Sequence, residues 1–271
     1  MKLPFWLPVA FKTLEYFSPA LGATIAADLF TTPGRHATPP WEAELERRGR
    51  SHRAGPLHYT EWGPETGPAI VLLHGWEGRG TQMGFFVEPL VARGQRVIAL
   101  DGPAHGASDD TKSGPYHFAK ALRDLQAVVG PFHGAIGHSM GGAAITIALG
   151  DGLTLDRAVL LGSPADLVEV RDRYLHWMGC GPRTKVCFHF EMLRRLGLDQ
   201  RARSLRDIAV TQTLPVLVVH DPDDREVPVV DGRSNAAAYP NGRILEPSAG
   251  GHRKMLKDAA VVAAVVEFVA S

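Results

Sequence analysis

The residues best equipped for chemistry are a serine, a set of carboxylates and a histidine, met in that order along the chain. Ser139 is the centre of Gly137-His138-Ser139-Met140-Gly141, which follows the apolar run Phe132 to Ile136 and fits Gly-x-Ser-x-Gly. In that pattern a strand turns sharply into a helix and holds a hydroxyl out of the bend. The glycines are needed because the strained turn leaves no room for a flanking Cβ and the helix must pack close to the strand. Alone, such a pentapeptide also fits an ordinary turn in a Gly-rich chain. A serine hydroxyl is a poor nucleophile until a base stands within hydrogen-bond reach and an acid fixes that base's tautomer. The chain supplies acids after one later apolar run (Asp221, Asp223, Asp224 and Glu226) and His252 after the last one. Nucleophile, acid and base in this order, each just past an apolar run, point to acyl transfer to water.

The elements that must position these groups are legible as runs. Ala69–Leu73, Arg96–Leu100, Arg157–Leu161, Pro215–Val219 and Arg243–Glu246 have the length and apolarity of buried parallel strands, and Leu57–Gly63 alternates like a strand. Helices are expected from 81 or 82 to 92, over 116–129, after Ser139, and over 259–269. Strand, loop and helix in repetition predict an α/β class with a doubly wound, mostly parallel sheet flanked by helices. Residues 165–212 break the rhythm with Arg, Leu and aromatic side chains and no strand, which predicts a small helical cap insertion. Its Arg171, Arg173, Arg194, Arg195, Arg201, Arg203 and Arg206 are expected on a solvated face, the sharper alternative being an anionic substrate. Residues 1–55 read as an N-terminal helical extension, one or two amphipathic helices within 3–30, followed by an exposed connector from 31 to 56. The main domain then runs over 56–271.

Composition narrows the function classes. Of the 271 residues 45% are hydrophobic and 21% charged, as in a folded enzyme, and 29 Lys plus Arg balance 29 Asp plus Glu. That balance leaves no global basic field for nucleic acid. Cys180 and Cys187 form neither a disulfide framework nor a zinc pattern and read as free thiols of a cytoplasmic protein, a local disulfide between them being the minority reading. No HExxH-like spacing points to a metal. The longest uncharged stretch near the N-terminus, Tyr16–Ala27, falls short of the ~20 residues a spanning helix needs. Membrane-surface contact through residues 3–30 is the weaker alternative.

On its motifs, the chain from about 56 to 271 resembles the α/β-hydrolase fold family, in particular its serine esterase and lipase-like members. The family's first loop, His-Gly and a bulky residue, matches His74-Gly75-Trp76. Its Asp-x-x-Gly-x-Gly-x-Ser loop matches Asp101 to Ser108, with Ala104 where glycine is common. Its acid loop aligns with His220 to Pro228, with Asp221 in place of the usual glycine, and its late Gly-His matches Gly251-His252. The resemblance implies a triad of Ser139, Asp224 and His252, and an oxyanion hole from the N–H groups of Met140 and Trp76. It implies no metal and no cofactor, and a small-molecule ester with a small or medium acyl group as partner. A homodimer is an open assembly option. Thioesterase, C–C hydrolase and lyase chemistry use the same triad, and a non-catalytic ligand-binding member would share the fold. His138, His74, His105 and His220 are expected to pack or to support loops.

Overall fold

A computed structural model describes residues 5–196 and 204–271; the start of the 3–30 segment, and Arg201 and Arg203, lie outside the described residues. In chain order come α1 (Trp6–Phe17), α2 (Pro19–Thr31), α3 (Pro40–Arg47), β1 (Arg50–Ala54), β2 (Leu57–Trp62) and β3 (Ala69–Leu73). Then follow α4 (Val87–Val91), β4 (Arg96–Asp101), α5 (Pro115–Val129), β5 (Gly134–His138), α6 (Met140–Gly150) and β6 (Arg157–Leu161). The last are α7 (Leu167–Trp177), α8 (Pro182–Leu196), α9 (Leu205–Ala209), β7 (Val216–Val219), α10 (Val229–Ala238), β8 (Gly242–Leu245) and α11 (Ala259–Val269). They form two compact units, Met1–Thr32 with Asp166–Ser204, and Pro33–Ala165 with Leu205–Ser271.

The second unit holds an eight-stranded sheet in the order β1-β2-β4-β3-β5-β6-β7-β8. β2 runs antiparallel to both β1 and β4, and every other pairing is parallel. Continuous apolar runs are what a parallel sheet covered on both faces requires, and Ile70–Leu73, Val97–Leu100 and Val159–Leu161 are accordingly buried. From β3 the chain steps to β4 on one side and later returns to β5 on the other, so the strand order reverses at β3. Ligands of open α/β sheets bind outside the carboxyl ends of the strands at such a reversal. The sequence places His74-Gly75-Trp76 and Ser139 at that point.

Two expectations are corrected here. Residues 31–56, expected as an exposed connector, contain α3 and the edge strand β1. The strand has no apolar alternation because it pairs on one side only, Arg50 opposite Glu61, and charged side chains protect an open edge. The helix expected over 81–92 is a 3₁₀ segment, Gly80–Phe86, followed by the short α4. A Cβ at Gly84 would meet Leu45, so the segment is seated by close packing on α3.

The first unit comprises α1, α2, α7 and α8 around Phe11, Leu175, Met178, Phe188 and Met192. α2 buries its small residues Gly22, Ala23, Ala26 and Ala27 and leaves Leu21, Ile25 and Leu29 exposed, so close backbone approach rather than a large apolar face docks it on α8. Cys180 and Cys187 are free thiols, and burial pushes the Cys180 thiol up to about 12. Arg171, expected in solvent, is buried and bonded to the Asp172 carboxylate at 2.7 and 2.9 Å. Arg195 binds Glu191 and Asp28, while Arg194 and Arg206 face solvent. No described helix is long and apolar enough to cross a membrane.

Candidate active site

Ser139 joins β5 to α6 with φ 52° and ψ −118°, a conformation that strains a residue carrying a Cβ. Its neighbours explain why the turn is glycine-rich. A Cβ on Gly137 would lie 2.6 Å from the backbone of Gly141, one on Gly141 2.7 Å from the His74 oxygen, and one on Gly142 2.7 Å from Ser163 Oγ. The backbone is fixed by Ser139 N–H donating to Leu161 O at 2.8 Å. Met140 is the first residue of α6, so its N–H has no partner within the helix and carries the positive end of the helix dipole.

The first loop lies against this turn: a Cβ on Gly75 would be 3.1 Å from Ser139 Cβ. Gly75 to Gly78 form a tight turn closed by Gly78 N–H donating to Gly75 O, with Glu77 at φ 57°. Glu77 N–H donates to His105 Nε2 at 3.1 Å. The Trp76 N–H, at the turn's second position, is not spent in closing it. His74 holds the base of the loop, its Nδ1–H donating to Gly75 O at 2.6 Å and its Nε2 accepting from Gly102 N–H at 3.0 Å. His105 Nδ1–H donates to Pro103 O at 2.9 Å. Those partners assign the tautomers of both rings. Burial, with the neighbouring His105 adding, pushes His74 down to about 3; burial also lowers His105, so both imidazoles are neutral struts. Ala104, where the family commonly has glycine, stands at φ 66°, which is why a glycine suits that position.

At the other end of the site Asp224, between β7 and α10, meets His252 in the loop after β8. His252 Nδ1–H donates to Asp224 Oδ2 at 2.6 Å, and both side chains are buried. Asp224 Oδ1 accepts from Glu226 N–H at 2.8 Å and Val227 N–H at 2.9 Å. Burial opposes the ionised carboxyl, but the His252 bond and these N–H groups outweigh it and hold its pKa below the ordinary value. His220 Nε2–H donates to Val227 O at 2.9 Å and supports the same loop. Of the four acids the sequence left open, only Asp224 bonds to His252 among the described residues. Asp221 bonds to backbone N–H groups instead, Asp223 and Glu226 are exposed, and Glu226 pairs with Arg253.

The two ends meet through His138, the residue before Ser139. Its Nε2–H donates to His252 O at 3.0 Å and its ring centroid lies 4.6 Å from that of His252. Burial, with the neighbouring His252 adding, drives its pKa well below the ordinary value, so it is a neutral donor. A Cβ on Gly162, after β6, would lie 3.0 Å from His252 Nδ1, so that loop also closes on the pair. Ser139, His252, Asp224 and the Gly75-Trp76 loop therefore gather at the carboxyl edge of the sheet. Sequence reasoning missed the His138–His252 bond and the Asp221 bonds; the one signal for the latter was a carboxylate where glycine is usual. No group of three or more His, Cys, Asp or Glu among the described residues is arranged to hold a metal.

A family model described as alpha/beta hydrolase fold matches residues 68–183. The chain is 27% identical over 244 residues to a bifunctional esterase/perhydrolase of Acinetobacter calcoaceticus, covering 70% of this chain and 86% of that protein. It is 34% identical over 93 residues to a serine hydrolase-like protein of Danio rerio, 32% of this chain, and spans 28% of that relative's length. Among solved structures, an esterase of Exiguobacterium antarcticum superposes with TM-score 0.62 at 18% identity, covering 79% of this chain and 96% of that one. Sheet order, strained serine turn, matching segment and structural likeness agree: this chain has the α/β-hydrolase fold.

Proposed function

We propose that the protein is a serine hydrolase that cleaves a carboxylic ester of small or medium acyl size through an acyl-enzyme. The observation that carries this reading is the buried 2.6 Å bond between His252 and Asp224, beside a serine held at positive φ. With Nδ1–H committed to Asp224, His252 presents Nε2 as a base. It takes the Ser139 proton as Oγ attacks the ester carbonyl, and the Met140 and Trp76 N–H groups receive the oxyanion. His252 then protonates the departing alkoxide. Water repeats the steps on the acyl group and frees Ser139. Asp224 stays ionised throughout, orienting the ring and stabilising the imidazolium. The placement of an unspent helix N-terminal N–H at Met140 supports its oxyanion role, since one such donor is typically worth about 10²–10³ in kcat.

Turnover of a p-nitrophenyl ester series by the wild type and by Ser139→Ala tests the reading. A folded Ser139→Ala that keeps full esterase turnover would sink it. The series also sizes the acyl pocket.

A further inference from the structure

The site contains a second buried carboxylate three residues before Asp224 in the same loop. Asp221 is fully buried, yet its carboxylate never touches the imidazole of His252. Oδ1 accepts from Asp223 N–H at 2.8 Å, within its own loop. Oδ2 crosses to the loop after β8 and accepts from Ala249 N–H at 2.8 Å and Gly251 N–H at 2.9 Å. Gly250 and Gly251 stand at φ 85° and 104°, left-handed conformations that turn neighbouring N–H groups into one concavity. Such a backbone nest is built to hold an anion, and here the anion is supplied by the other loop. The N–H bonds outweigh the burial penalty and keep the Asp221 carboxyl ionised. The next residue is His252.

We infer that Asp221 is a positioning residue: it sets the backbone of His252 through the Ala249–Gly251 nest, while Asp224 sets its ring, so one loop grips the base at two points. The inference rests on the triad reading above. The carboxylate takes no part in the chemistry, but it decides where Nε2 stands relative to Ser139. Misplacement of a reacting group by about 1 Å can cost on the order of 10²-fold in rate.

The test compares Asp221→Asn and Asp221→Gly with the wild type. Asn keeps the shape but turns an N–H₂ toward N–H donors, and Gly empties the nest. Both are expected to lower kcat by about 10–100-fold with KM within about twofold. Added formate should restore part of the kcat of Asp221→Gly by refilling the nest, and do nothing for the wild type. The low-field proton resonance of the His252–Asp224 bond should weaken or move in both variants. Unchanged kcat and resonance would overturn the inference. So would loss of the folded state in both variants, or a rate loss that formate does not touch with the resonance intact, each of which marks a merely structural staple. The resonance needs no substrate: if it moves in the variants while the wild type hydrolyses no ester, the positioning stands and the esterase reading fails.

Discussion

Two pairs of loops frame the site, and both are tied by the same device. In the first pair, residues 74–80 and 101–108, the Asp101 carboxylate accepts from Gly80 N–H at 2.7 Å and Ala107 N–H at 2.8 Å and holds His58 Nδ1 at 2.9 Å. In the second pair, residues 220–228 and 248–252, Asp221 and Asp224 do the equivalent work on backbone and ring. A buried carboxylate is tolerated in each because N–H donors replace its water. The difference is what the staple holds. Asp101 braces a loop and pairs with a histidine on β2, whereas Asp221 and Asp224 end on His252. The same local device thus leads to unequal consequences: damage to the first pair should fall on stability, and damage to the second on turnover.

The largest effect should be Asp224→Asn, which keeps the shape of the second staple but favours the wrong His252 tautomer. A kcat loss on the order of 10⁴-fold is expected with the melting temperature little changed. A loss below tenfold would move the acid's role elsewhere. Next, Asp101→Ala should destabilise the fold by roughly 3–5 kcal/mol, since it strands His58 and two N–H groups, while the folded fraction keeps nearly full kcat. Denaturant unfolding combined with active-site titration separates the two; a turnover loss without a stability loss would erase the contrast. The smallest effect is on pH. His74 titrates near 6.5 unfolded but at about 3 folded, so the unfolded state binds the extra proton and stability falls as pH drops from about 6.5 toward 3. From pH 7 to pH 5 this single group should remove about 2 kcal/mol, and His74→Gln should flatten that slope. A slope unchanged in the variant would place the acid sensitivity on other groups.

Much of this was legible beforehand, for identifiable reasons. Buried parallel strands announce themselves as short apolar runs, so Ala69–Leu73 and Arg157–Leu161 fall where expected. The serine turn is legible because steric strain dictates its glycines. β1 was not, because an edge strand pairing through Arg50, Ser51, His52 and Arg53 carries no apolar pattern. The split before α4 was hidden because Gly84 serves a contact with Leu45, distant in sequence. α2 reversed the usual signal, with large residues outside and small ones inside. The order of residues alone could not choose among Asp221, Asp223, Asp224 and Glu226. The resemblance implied Asp224; which loop backbone each carboxylate meets is legible only in the folded contacts, where Asp224 alone of the four bonds to His252 among the described residues.

The central claim is that Ser139 is an activated nucleophile. Mass spectrometry after treatment with a fluorophosphonate probe measures this directly. A single adduct on Ser139, absent from Ser139→Ala and strongly slowed in Asp224→Asn, is the predicted result. A folded protein that takes no adduct, or takes one elsewhere, would contradict it and leave the fold as a ligand-binding scaffold.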